Sequence, residues 1–107
     1  MSLYRFKSRE TGDVVMTEPH GRRILEVLGK DLEKGLIQPE EVPGAIIALR
    51  RAADEEAVEQ MREREAAEAN GEVPPEFDPV GFRQRIVPLI DMLHRCEAAN
   101  VPVVWGV

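Results

Sequence analysis

A single cysteine, Cys96, occurs in the 107 residues, so no disulfide can close within the chain. An unstapled chain of this size is expected in a reducing compartment. Aromatic residues make up only 5% of the sequence. The core must therefore be built from aliphatic side chains, with Tyr4, Phe6, Phe82 and Trp105 as its large anchors. No apolar run approaches the roughly 20 residues of a membrane span, and the opening MSLYRFKSRE lacks the apolar stretch of a signal peptide. These absences predict a cytoplasmic location and no membrane partner. Also missing are a glycine-rich phosphate loop, paired CxxC or HxxxH ligands, and any nucleophile beside a base. No cofactor, metal or catalytic residue is expected, and enzyme is the least favoured class.

Charge is present but unevenly spread. The net charge is −6. Residues 54 to 78 hold ten acidic residues against Arg62 and Arg64, a net of −8, which leaves +2 for the rest. A nearly neutral body with one acidic stretch has no field that would attract nucleic acid.

Periodicity supplies the elements. Leu3 to Ser8 alternates, with Tyr4 and Phe6 on one face and Arg5 and Lys7 on the other, and Asp13 to Thr17 is short, apolar and β-branched. The two read as a hairpin across SRETG, with Val14 and Met16 toward the core. Three polar-proline pairs, Glu18-Pro19, Gln38-Pro39 and Asp78-Pro79, mark helix starts, because proline at the first helical position gives up an N–H that would be unpaired anyway. The first helix presents Ile24, Leu25, Val27 and Leu28 and stops at Gly29. Lys30 to Ile37 reads as a connector, with Leu32, Leu36 and Ile37 tucked under the sheet. A turn at Pro39 then leads into a helix with Val42, Ala45, Ile46, Leu49 and Ala53 on one side. That helix continues as a solvated extension to Asn70-Gly71, and a mobile proline-rich linker follows. Asp78 is expected to cap the last helix, where Phe82, Ile86, Leu89, Leu93 and Cys96 form the best apolar stripe in the chain. Pro88 interrupts that stripe, and Asn100 ends the helix. Pro102 then opens a strand with Val103, Trp105 and Val107 on one face and Val104 on the other.

The predicted architecture is α+β. It is a single domain, 1–107, with a three-stranded sheet of order 2-1-3, three helices on one face, and residues 54–78 as a charged helical extension and linker. The FKS strand, TGDVVM arm, LG stop, PEEVPGAI helix start, PLIDML helix and terminal VVWGV together resemble a proteobacterial family of small proteins, number eighteen-forty among the domains of unknown function. The resemblance implies a bacterial cytosolic origin and one compact domain, and it carries over no catalytic residue.

Candidate sites are few. His94 and Cys96 at i, i+2 on a helix point about 200° apart, which suits a surface histidine and a core cysteine rather than two ligands of one metal. His20, Arg22 and Arg23 lie in a predicted first turn, where free amides favour a phosphate or carboxylate. Three strands covered on one side leave a second face on which Leu3, Val15 and Val104 are expected, a surface suited to a protein partner or a second copy. The predicted function is a non-catalytic interaction or self-associating module, a homodimer being one form, with small-anion binding as the alternative.

Overall fold

In the computed structural model, which describes residues 2–107, the N-terminal hairpin pairs β1 (Leu3–Phe6) with β2 (Val14–Thr17), Tyr4 opposite Met16 and Phe6 opposite Val14. Helix α1 (Glu18–Leu28) follows at once. It ends in a left-handed Gly29, φ 67°, whose N–H and that of Lys30 reach back to the Glu26 and Leu25 carbonyls. This is the glycine stop read from the sequence. Pro39 opens a short 3-10 turn, Pro39–Glu41, before α2 (Val42–Ala69) begins. Helix α3 (Phe82–Ala99) runs unbroken through Pro88 to a left-handed Asn100, φ 58°, and the chain closes with a strand over Val103–Trp105.

The segment expected to be a connector contains a strand. Gly35–Ile37 forms β3 and pairs antiparallel with the C-terminal strand β4 (Val103–Trp105), Ile37 opposite Val103 and Gly35 opposite Trp105. Its glycine is required: a Cβ on Gly35 would lie 2.6 Å from the Trp105 ring. The single sheet of order 2-1-3 is replaced by two two-stranded sheets. Lys7, just beyond β1, exchanges both backbone hydrogen bonds with Val104, at 2.8 and 2.9 Å. The strands thus lie in the sequence β2, β1, β4, β3, with the C-terminal strand beside the first as expected and the missed β3 outside it.

Alternation sorts the sheets into two faces. Phe6, Ile37, Val103 and Trp105 are buried, with Tyr4, Val14 and Met16 packed against that core. From the helices come Ile24 and Leu25 of α1, Val42, Ile46 and Leu49 of α2, and Phe82, Ile86, Leu89, Met92, Leu93 and Cys96 of α3. Burying one such side chain contributes about 1.5–3 kcal/mol. The aromatic anchors meet, Phe6 lying 6.4 Å from Tyr4 and 6.0 Å from Trp105. Their polar ends both hold the loop before β3: the Trp105 indole donates to the Asp31 carbonyl at 2.9 Å, and the Tyr4 hydroxyl donates to that of Leu32 at 2.7 Å.

Two further expectations are corrected. Val107 lies beyond β4 and is exposed, so only Val103 and Trp105 share the inward face. Asp78 does not cap α3: its carboxylate closes a turn with the Val80 N–H at 2.8 Å and accepts from Arg85 at 2.8 Å. The helix starts four residues later, and its Phe82 N–H donates 2.9 Å to Glu56 of α2. A cap from a distant element satisfies the orphan amide as a local one would.

Candidate functional site

The face of the sheets turned away from the helices presents exposed apolar side chains around cations. Leu3 is 50% exposed, Val15 43% and Leu36 39%, with Val104 half-buried between them. Register fixes their arrangement. Arg5 stands opposite Val15, while Lys7 bridges to Val104, which is paired with Leu36 on its other side. Arg5 and Lys7 thus form a basic column along β1, flanked by Val15 on one side and by Val104 and Leu36 on the other. Beside the Lys7 end lies a recess of about 530 Å³, bounded by Lys7, Ser8, Arg9, Val101, Pro102 and Val104. Apolar surface makes up most of its lining, to which Asn100 also contributes, and Lys7 and Arg9 are the two cations that border it. Among the described residues, Arg5, Lys7 and Arg9 take part in no ion pair, as is also true of Lys34, Arg50, Arg51, Arg64 and Arg95 elsewhere, whereas Arg22, Arg23, Lys30, Arg62, Arg83 and Arg85 each have a carboxylate partner.

All three residues expected on this face are there. Leu36 was missed because a three-residue strand beginning with glycine shows no alternation, and it is outward rather than tucked under the sheet. Only Ile37, and in part Leu32, turn inward.

His20, Arg22 and Arg23 do lie in the first turns of α1, but they diverge. Arg22 pairs with Glu18 one turn back at 3.4 Å. Arg23 donates to Glu56 at 2.9 Å and lies 4.3 Å over the centre of the Phe82 ring. Both arginines border an open recess with Glu18 and Glu26, while His20 borders another with Val14, Val15, Arg85 and Pro88. Glu18 already places a carboxylate at the positive end of the helix.

The titratable groups with displaced pKa values all serve the fold. Backbone N–H groups of Lys34 and Glu33 hold Asp31 below its usual value. Lys30, and then the Gln38 N–H, do the same for Glu41, and the Val80 N–H, then Arg85, for Asp78. Partial burial pushes Glu56 upward, but its bonds from Arg23 and the Phe82 N–H outweigh this and leave it lowered. Cys96 is fully buried and His94 exposed. Among the described residues no group of three or more His, Cys, Asp or Glu is placed to hold a metal ion, and no helix is long and apolar enough to cross a membrane. This arrangement can offer apolar contact with cations at its centre and rim.

A family model described as Domain of unknown function (DUF1840) matches residues 2–105. No curated protein and no solved structure matches the chain.

Proposed function

The chain belongs to the DUF1840 family, whose description assigns no activity, and we propose that it is a non-catalytic interaction module that self-associates through the outward face of its sheets. One observation carries this reading: Leu3, Val15, Leu36 and Val104 lie outward around two cations without an ion pair, on a surface that no described element of the same chain covers. The pairing edges of β2 and β3 border the same surface. The reducing, cytoplasmic setting expected from the lone cysteine fits such a module.

A small anion held by His20, Arg22 and Arg23 is the competing reading. It stands second because the anion would displace Glu18 and Glu56 from the two arginines. A thermal-shift titration with inorganic phosphate separates the two, with no change of midpoint expected.

The deciding experiment is light scattering over a concentration series. The wild type is expected to show a concentration-dependent dimer, and Val15→Asp and Leu36→Asp to reduce it while keeping the wild-type circular dichroism spectrum. A strict monomer at the highest concentration would end the proposal.

A further inference from the structure

The acidic stretch and the basic sheet face are complementary surfaces carried by one chain, and α2 holds the acidic one where its own sheet face cannot meet it. Helix α2 packs on α1, α3 and the 3-10 turn, on the helical side of the sheets. Glu56 ties the start of its outer half to Arg23 and to the Phe82 N–H. The outward side of that outer half is amphipathic. Val58 is 53% exposed and Met61 60%, and Val58, Met61, Glu65 and Glu68 step by three, four and three, the spacing of one helix face. Glu65 and Glu68 take part in no ion pair among the described residues.

We propose that the occupant of the sheet face is the outer half of α2 from a second copy, laid over the Lys7 end of β1 so that Val58 and Met61 meet Val101, Pro102 and Val104, and Glu65 and Glu68 meet Lys7 and Arg9. This rests on the self-association proposed above and names its contact. The contact is local: Val58 to Glu68 spans roughly 15 Å at the helical rise, and Lys7, Arg9, Val101, Pro102 and Val104 all line the one recess. Chemistry agrees too, since an unbranched, flexible methionine suits an irregular apolar recess and carboxylates complement cations that have no ion-pair partner among the described residues. Each copy carries both surfaces, so in a two-fold arrangement each arm lies on the other copy's sheet and both contacts form at once, which leaves neither surface free for a third copy.

The test is a charge swap on the full chain, read by sedimentation equilibrium. Lys7→Glu with Arg9→Glu makes the sheet side acidic. Glu65→Lys with Glu68→Lys makes the arm basic. Each double variant alone is expected to dimerise at least about a hundredfold more weakly, because like charges then face each other. Mixing the two is expected to restore a dimer containing one copy of each, since acidic sheet meets basic arm and basic sheet meets acidic arm. The wild-type dimer should also weaken as salt rises to about 1 M. If both double variants dimerise as the wild type does while Val15→Asp still dissociates, the copies meet sheet to sheet and this inference falls while the module remains. If each variant is weakened but the mixture is not rescued, the pairing of these residues is wrong. A wild type that stays monomeric removes both proposals.

Discussion

At the scale of single residues, packing overrides propensity in ways that two glycines make measurable. Gly21 and Gly44 both sit in helices, where replacing glycine by alanine ordinarily stabilises by about 0.5–1 kcal/mol. Gly44 has nothing within 4 Å of the position of an added Cβ, whereas at Gly21 that carbon would lie 2.4 Å from the Tyr4 ring. Gly44→Ala should therefore raise the melting temperature, and Gly21→Ala should lower it by an overpacking cost of about 1–3 kcal/mol. Two thermal melts decide the point, and equal shifts would contradict the packing of α1 on β1. Glu56 offers a second test, because one carboxylate joins Arg23, α2 and the first amide of α3. Its folded pKa is lowered from the ordinary 4.5 despite the opposing effect of burial. A lowered folded pKa means a stabilising contribution that is complete above the unfolded value and is lost as pH falls through the folded one. Glu56→Gln should thus cost about 1–2 kcal/mol near neutrality. The gap from wild type should close in melts taken well below the ordinary 4.5.

At the scale of elements, the C-terminal strand contributes more than its three residues suggest. Strand β4 lies between the Lys7 end of β1 and the whole of β3, and it buries Val103 and Trp105 fully or nearly so. Losing one large buried ring costs about 3–5 kcal/mol, against a total stability of about 5–15 kcal/mol for an ordinary domain. Deleting residues 103–107 should therefore abolish the cooperative thermal transition, and a retained midpoint would refute the central position given to β4. The helices were legible beforehand because their apolar residues recur at three and four and because Gly29 and Asn100 end them locally. Strand β3 was not, because Gly35 is selected by the Trp105 ring from the far end of the chain rather than by strand propensity. The start of α3 was misplaced for a related reason. Asp78 looks like a cap but closes a turn, while the actual cap comes from Glu56, whose position in space the local sequence does not state.

At the scale of the whole molecule, the outward face was legible through period-two alternation, which placed Leu3, Val15 and Val104. The basic column at its centre acquired meaning only once ion pairing could be seen, because a sequence does not reveal which arginines already have partners. Shape adds a last consequence. The radius of gyration is 15.9 Å and the longest extent 53 Å, against about 13 Å expected for the radius of gyration of a compact chain of this length. The excess follows from α2, whose inner half buries Val42, Ala45, Ile46, Leu49 and Ala53, while its outer half buries only Ala67. Arg64, which sits 5.8 Å from the centre of the Phe77 ring, is a contact between that outer half and the following linker. Stability against local opening tracks buried apolar contact. Amides of residues 57–69 should therefore exchange with deuterium much faster than those of residues 46–53 in the dilute protein, although both halves belong to one continuous helix. At concentrations where a dimer forms, docking of the arm on a second copy would slow exchange in 57–69 selectively and leave 46–53 unchanged. Uniform protection along α2 in dilute solution would show that its outer half is held by the fold of a single chain.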